Sequence, residues 1–412
     1  MERQRVRTTY KYKLKPTPVP EQALERTLML CRHVHNAAVE QRREAWQKYG
    51  ISVTYYQQKA ELPGIKEAIP DYGDVTAQVV QDVVQRVDRA FQAFFRRVQA
   101  GETPGYPRFH GRDRYDSFTY PQLGALGALG AHGGAALNGG IFSFSKLGRI
   151  PIRLHRALEG TPKTITVSRE ADGWYVCFSC AEVPIQPLPA AGQETGIDLG
   201  VDLGIEAFAT LSNGTRVFSP GWYRQAERAL KTAQRRVARR KKGSNRRRKA
   251  ANLLAKAHQQ VRRQRQDVHY KTALHLVQTN DTVYHEDLQT ANMVRNHHLA
   301  KSISDAGWSA FLTILSYKAA CAGRLVVAVN PAYTSQTCSD RGIMVSKGLS
   351  VRWHSCPECD ASLHRDHNAA KNIERLGQAR RGGVALAASE NRASPFGECQ
   401  PSLAASFSLP VS

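Results

Sequence analysis

Apolar residues in "EQALERTLMLCRHVHNAAVEQRREAWQKYG" return every three or four positions from Glu21 and stop at Gly50, the spacing of a helix with one buried stripe. "DVTAQVVQDVVQRVDRAFQAFFRRVQAG" keeps the same period to Gly101 and predicts a second long helix. Ahead of both, "RTTYKYKLKP" alternates polar and apolar positions and closes on proline, as a strand does. Alternation returns in "GIFSFSKLGRIPIRLHR", "KTITVSREADG" and "WYVCFSCAEV", so the helices are expected to interrupt a small β domain. "LGALGALGAHGGAALNGG" is low in complexity and reads as a flexible insertion without chemistry. "PIQPLPAAGQE" marks a Pro-rich boundary near residue 190.

Past that boundary the pattern changes. "ETGIDLGVDLGIEAFATLSNG" reads as strand, turn, strand, and "VRRQRQDVHYKTALHLV" as a helix. "DTVYHEDL" is a short strand ending in acids, "SDAGWSAFLTILSYKAACAG" another helix, and "RLVVAVNP" a buried strand. The Ala/Ser/Gly-rich tail from Gly382 is expected to be disordered.

Composition narrows the partners. At 412 residues the chain can build roughly two to three cored domains. A hydrophobic share of 42% with 23% charged residues is that of a soluble globular protein. The balance of charge is not ordinary: 58 Lys and Arg against 35 Asp and Glu leave +23, which calls for a polyanion, nucleic acid first. Ten of the fifteen positions from Arg235 to Lys249 are basic. Arg235, Arg236, Arg239, Arg240, Lys241, Lys242, Arg246, Arg247 and Arg248 could line a channel for a duplex, and the alternative is a solvated charge run. "GYPRFHGRDRYDSFTY" mixes arginine with aromatics, a pairing suited to phosphates and stacked bases. No apolar run is long enough to span a membrane, and Met1 to Lys15 is too polar for a secretory signal, so a cytoplasmic location is expected.

Cysteine use agrees with a reducing compartment, because the eight thiols are scattered rather than framed. Cys177 and Cys180 sit in a strand pattern and read as packed thiols. Cys338, Cys356 and Cys359 cluster in "TSQTCSDRGIMVSKGLSVRWHSCPECDASLHRDHNAAKNI". Two C-x-x-C turns would make a tetrahedral zinc site, but Arg341 stands where the fourth thiolate belongs, and a guanidinium cannot donate to Zn²⁺. His354 is a weak substitute so near Cys356. Zinc on three thiolates plus water or histidine, and a hairpin that stands without metal, are both open.

Acids supply the other candidate chemistry. Asp198 and Asp202 lie on the first strand of the second half, Glu286 ends "VYHE", and Asp366 opens the helix "DHNAAKNIERL". Strand, strand end and helix start, in the order Asp-Glu-Asp, is the logic of an RNase H-like site. Three such carboxylates can hold a pair of Mg²⁺ or Mn²⁺ ions about 3.5–4 Å apart for phosphodiester hydrolysis. A lone acid at a strand end is usually a solvated turn residue, so spacing alone does not carry the site.

"GVDLGIEAFATLSNG", "YHEDLQTANMVRNHHLAKSISDAGWSAFLTILSYKA", "PAYTSQTCS" and "SVRWHSCPECDASLHRDHNAAKNI" together resemble the transposon-borne TnpB (OrfB) proteins, relatives of type V CRISPR effectors. The likeness is collinear from about Thr195 to Arg375, and looser in "VHNAAVEQRREAW" and "GYPRFHGRDRYDSFTYPQ". It implies an α+β multidomain protein: a wedge-type β-barrel-like domain (1–18 and 116–190), an inserted helical recognition domain (19–115) and an RNase H-like (RuvC) nuclease domain (191–332 and 361–381). A degenerate zinc ribbon (333–360) and a tail (382–412) complete it. The resemblance implies an RNA-guided DNA endonuclease, monomeric on a guide RNA from the transposon end, that reads a short motif flanking its double-stranded target. Bound to DNA, it would sit on the nucleoid.

Carried over residue by residue, the second and third carboxylates are Glu286 and Asp366. The first is open, because "GIDLG" and "VDLG" repeat: family spacing falls on Asp202, while Asp198 needs four extra residues in the turn. Strand periodicity places both on one face. Tyr55, Gln81 and Thr119 become candidate readers of the flanking motif, each able to offer a hydrogen bond to a base edge. Asp360 stands where the family has glycine and His364 where it has aspartate. A nuclease-silent, RNA-guided DNA-binding repressor is the alternative function; no Tyr or Ser recombinase constellation supports a DNA-joining transposase.

Overall fold

The computed structural model describes residues 5–387, except 113, 122–134, 139, 186, 200–206, 219–220 and 349–350. Two compact units result. The first combines Met1–Leu188 with Trp222–Asp267 and Ala320–Gly323; the second combines Pro189–Gly221, Val268–Ala319 and Arg324–Ser412.

In the first unit, β1 (Arg5–Leu14) leads into α1 (Pro18–Tyr49), α2 (Tyr55–Ala68) and α3 (Ala77–Gln99). Six strands follow: β2 (Ser117–Tyr120), β3 (Ala135–Asn138), β4 (Ile141–Phe144), β5 (Gly148–Arg153), β6 (Thr161–Glu170) and β7 (Gly173–Pro184). They form an antiparallel seven-stranded sheet in the order β2-β6-β7-β1-β5-β4-β3. Proline at its start fits α1 to begin where Pro18 lies, and Gly50, at φ 65°, ends it by donating its N–H to Ala45 and Trp46 carbonyls.

The β domain and the helical domain expected as separate bodies share one core. Tyr12, Phe118, Ile150 and Phe178 of the sheet are buried with Leu24, Leu28, Val79 and Val83 of the helices. The sequence pattern had also hidden α2, which carries Pro63 and Gly64 inside it and starts from a capping box between Thr54 and Gln57. The low-complexity insertion is only partly described: its residues 123–134 and 139 lie outside, and its residues Ala135–Asn138 are strand β3.

The basic helices α4 (Trp222–Ala238) and α5 (Asn245–Thr279) correct the expected nuclease boundary of 191–332. Residues 222–267 group with the β sheet, for a polar reason. Buried Gln259 donates from Nε2 to Glu170 at 2.6 Å and to Asp172 at 2.7 Å. Arg263 adds bonds to Asp172 (2.9 Å), Glu170 (3.0 Å) and the Tyr175 hydroxyl (2.8 Å). Against the cost of partial burial, hydrogen bonds from Arg263, Gln259, Tyr175 and Lys13 hold the Asp172 carboxyl far below the usual carboxylate range.

In the second unit, β8 (Glu194–Asp198), β9 (Ala207–Leu211), β10 (Arg216–Phe218), β11 (Thr282–Glu286) and β12 (Leu325–Val329) make one sheet, ordered β10-β9-β8-β11-β12. β11 pairs in parallel with β8 and with β12, while β9 runs antiparallel to β8 and β10. Between β11 and β12 lie α6 (Thr290–Met293), α7 (His297–Ala306) and α8 (Trp308–Ala322). The single helix expected over "SDAGWSAFLTILSYKAACAG" is therefore broken, at Gly307 with φ 65°, a left-handed conformation that costs glycine least. "RLVVAVNP" is an edge strand rather than a buried one, with Leu325 exposed and only Val329 buried. The hairpin β13 (Trp353–Ser355) and β14 (Ser362–His364) leads into α9 (Arg365–Ala387).

Two glycines let α9 lie on the sheet. A Cβ at Gly196 would stand 2.1 Å from the Ala370 carbonyl oxygen, and one at Gly377 would stand 2.0 Å from the Tyr284 ring. Hydrogen could not be replaced by carbon at either place without separating the two layers.

Candidate functional site

The register of β8 and β11 brings two acids abreast. Their parallel pairs run from Thr282 opposite Glu194 to His285 opposite Ile197, and one further step sets Glu286 beside Asp198. Gly196 and Tyr284 meet α9, so Asp198 and Glu286, two residues on, point to that same face at the carboxyl ends of their strands. Asp366 is the second residue of α9. All three are buried: Asp198 is 8% exposed, Glu286 6% and Asp366 9%. Asp202, the other candidate for the first position, lies outside the described residues.

Burial pushes the Glu286 carboxyl above its ordinary range, and the charge of Asp366 pushes it further. A hydrogen bond from Thr334 and the charge of Arg365 act the other way. Glu286 and Asp366 therefore feel each other. A divalent cation relieves both the desolvation and the repulsion, and its preference for hard oxygen donors matches the set.

A polar scaffold that the sequence reading missed holds this face. Buried Thr334 donates from Oγ1 to Glu286 Oε1 at 2.6 Å. Its own loop is clamped from α9: Asn372 Nδ2 donates to the carbonyls of Thr334 (2.9 Å) and Thr337 (2.6 Å). Asn368 Nδ2 donates to Thr337 O at 2.7 Å, and its Oδ1 accepts from the Ser339 N–H at 2.9 Å. Both asparagines are buried. The one signal available was their i, i+4 spacing directly after Asp366, amides on a helix face that should be apolar. His364 ends β14 just before α9, its Nδ1 accepting from the Asp366 N–H at 3.3 Å and lying 3.6 Å from Asp366 Oδ2.

The ribbon is assembled as far as its sequence allows. Among the described residues, Cys338, Cys356 and Cys359 are the one group of three candidate ligands whose atoms all lie within 4.8 Å of one another. Cys338 and Cys359 sulfurs are 3.7 Å apart. Burial raises the Cys338 thiol, but the backbone N–H groups of Arg341 and Asp340 and the two neighbouring thiols outweigh it and leave it below its usual range. Arg341 contributes that N–H while it is exposed as a residue. His354 is fully buried, and its Nδ1 meets Lys347 Nζ rather than completing the cysteine group. Three thiolate donors fit zinc; the chain's fourth position does not come from Arg341. The strand thiols Cys177 and Cys180 are free, as read from their pattern.

The basic positions lie on the end of α4, the turn after it and the start of α5. Arg235, Arg236, Arg239, Arg240, Lys241, Lys242, Arg246 and Arg248 are exposed. Arg247 is not one of this set: it is half-buried and donates from Nη1 to the carbonyls of Val237 (3.0 Å) and Arg240 (3.1 Å), clasping the turn. Of the three candidate motif readers, Thr119 shares its hydroxyl with Thr166 at 2.8 Å and with Arg86, which reads as sheet packing. Tyr55 packs against the core, and Gln81 is half-buried on α3.

Three family models match the chain. One described as a probable transposase of the OrfB IS605 type covers residues 178–297, a Cas12f1-like TNB domain covers 308–373, and an OrfB helix-turn-helix domain covers 1–50. The last name does not describe what forms there, which is one strand and one long helix. A "Putative RNA-guided DNA endonuclease" of Streptomyces pristinaespiralis is 33% identical over 383 residues, 91% of this chain and 90% of that one. A "Putative RNA-guided DNA endonuclease InsQ" of Escherichia coli (strain K12) is 29% identical over 90% of this chain and 92% of its own length. A solved structure of the mini RNA-guided endonuclease CRISPR-Cas phi3 superposes with a TM-score of 0.48 at 11% identity, over 90% of this chain and 92% of that one.

Proposed function

Because this chain belongs to the transposon-encoded TnpB (OrfB) family, we propose that it is an RNA-guided DNA endonuclease that hydrolyses DNA phosphodiesters at one RuvC-like carboxylate centre. The observation that carries this reading is the register that sets Asp198 beside Glu286 on the face capped by Asp366. The order of the five strands, with the first beside the fourth, supports the RNase H-like architecture.

Asp198, Glu286 and Asp366 would hold Mg²⁺ or Mn²⁺, which when bound supplies a positioned water and stabilises the leaving oxygen. Thr334 fixes one oxygen of Glu286, and the asparagines of α9 fix Thr334. The buried setting of the acids keeps bulk water from screening them. The exposed arginines and lysines of the α4–α5 turn take backbone phosphates of a guide RNA or a double-stranded target, giving register without sequence. Cys338, Cys356 and Cys359 would hold zinc through three thiolates. The protein acts as a monomer on its RNA, in the cytoplasm.

The test uses the purified protein–RNA complex, Mg²⁺ and a plasmid carrying the target and its flanking motif, both named by sequencing the co-purifying RNA. The plasmid should be cut. Intact binding without cutting rejects catalysis and leaves a guided DNA-binding protein.

A further inference from the structure

The hairpin that leads into α9 sets a histidine against one of the three acids. The chain leaves β14 at His364 and enters α9 at Arg365, so His364 and Asp366 meet across the junction. His364 Nδ1 lies 3.6 Å from Asp366 Oδ2, and both side chains are largely buried. The imidazole is also held by the hairpin. His364 pairs with Trp353, whose ring meets it edge to face with centroids 6.3 Å apart. Trp353 is fixed in turn by a 2.7 Å bond from its Nε1 to Ser362 Oγ. The ladder runs one step further, with the Arg365 N–H donating to Arg352 O at 2.9 Å.

Three features suit this nitrogen to a metal. A backbone N–H can only donate, so the contact from Asp366 N–H leaves the lone pair on Nδ1 and the ring proton on Nε2. At 3.3 Å that contact is longer than the usual N–H hydrogen bond. The donor also belongs to the first turn of α9, where water can replace its partner. Finally, two ligand atoms each about 2.1 Å from one ion stand roughly 3 to 3.5 Å apart. The 3.6 Å between Nδ1 and Oδ2 is close to that bite.

The donor selects the ion. Asp198, Glu286 and Asp366 offer hard oxygens, which Mg²⁺ and Mn²⁺ both accept. An imidazole nitrogen suits first-row transition ions and is poor for Mg²⁺. At a position where the family has aspartate, this chain therefore trades an oxygen for a nitrogen. We propose that His364 is a further ligand at the carboxylate centre, coordinating through Nδ1 beside Asp366, and that it biases the centre toward Mn²⁺ over Mg²⁺. The assignment rests on Asp366 holding metal, as proposed for the cutting reaction.

The experiment follows Mn²⁺ by electron paramagnetic resonance on the full-length protein, made without a histidine tag and freed of RNA. Spin-echo modulation from a nitrogen bound directly to Mn²⁺ should appear in the natural protein and vanish in His364→Asp and His364→Asn. Asparagine keeps an acceptor for the Asp366 N–H, so a histidine that only braces the helix start would be replaced without effect on the metal. In competition, the Mg²⁺ concentration that displaces half of the Mn²⁺ should fall about 10-fold in both variants. Asp366→Asn should release the ion. Mn²⁺ that depends on Asp366 yet shows no nitrogen modulation, or modulation that survives His364→Asp, overturns the ligand and leaves the carboxylate centre standing. Mn²⁺ held as tightly by Asp366→Asn as by the natural protein overturns both. The spectrum of the natural protein decides the ligand by itself should either His364 variant fail to fold, which thermal melting checks.

Discussion

Two candidate metal centres lie in the second unit, and they are built in opposite ways. The cysteine ribbon is local: Cys338, Cys356 and Cys359 come from one hairpin region, and their sulfurs gather within 4.8 Å. The carboxylate centre is remote: its acids come from two strands and a helix, and only the β8–β11 register and the seating of α9 unite them. The ribbon lacks a fourth thiolate, because Arg341 stands in its place. Among the acids, Glu286 is braced by Thr334, whose loop Asn368 and Asn372 hold. A site assembled by tertiary structure needs a scaffold, and that scaffold reaches into the ribbon's own loop at Thr337 and Ser339. The two centres are thus joined through α9.

The comparison breaks first at the acids. Glu286→Gln and Asp366→Asn should each slow plasmid cutting by about 1,000-fold or more while guided binding persists. Comparing Asp198→Asn with Asp202→Asn by the same assay identifies the first carboxylate, and full activity of Asp198→Asn would pass that role to Asp202. Thr334→Val comes next. Removing the hydroxyl should weaken Mn²⁺ binding and cutting by about 10- to 100-fold, with Thr334→Ser restoring both. If valine is tolerated, the 2.6 Å bond to Glu286 is not what positions the carboxylate.

Arg341→Cys tests the ribbon from the other side, since a fourth thiolate should let zinc survive a chelator challenge that strips the natural protein. Metal content by atomic absorption reads the result. The pH dependence of the metal-free protein gives a subtler contrast. A carboxyl raised above its unfolded value contributes stability that is complete below that value, near 4.3, and is lost as pH rises through the folded value. Glu286→Gln should therefore raise the melting temperature of the metal-free protein at neutral pH, leave it unchanged in acid, and lose its advantage when Mg²⁺ is added. Smallest is Asp360→Gly: Asp360 holds φ 53°, where glycine is at ease, so the change should stabilise the hairpin by about 1 kcal/mol in thermal melts.

Much of the molecule was legible in order. Helical period marked α1 and α3, alternation marked the strands, and Glu286 and Asp366 announced themselves as acids at a strand end and a helix start. What escaped had weak or contrary local signals. Pro63 and Gly64 disguised α2, and Gly307 split a helix that apolar content alone made continuous. Arg247 read as one more cation of its run, though its guanidinium clasps the turn. Thr334 carries no charge, and although it lies inside the family-like stretch "PAYTSQTCS", nothing there assigned it a role beside Glu286.

By itself, then, the chain's order of residues determined which segments coil or extend, the excess of positive charge, and the identity of the chemical groups, because these depend on neighbours a few positions apart. Tertiary structure alone set Asp198 beside Glu286, grouped 222–267 with the first unit, and let an asparagine face of α9 brace an acid on a strand. Those are matters of register and burial between segments far apart in the chain. A hydrogen bond of 2.6 Å is specified only when both partners have been carried to the same place.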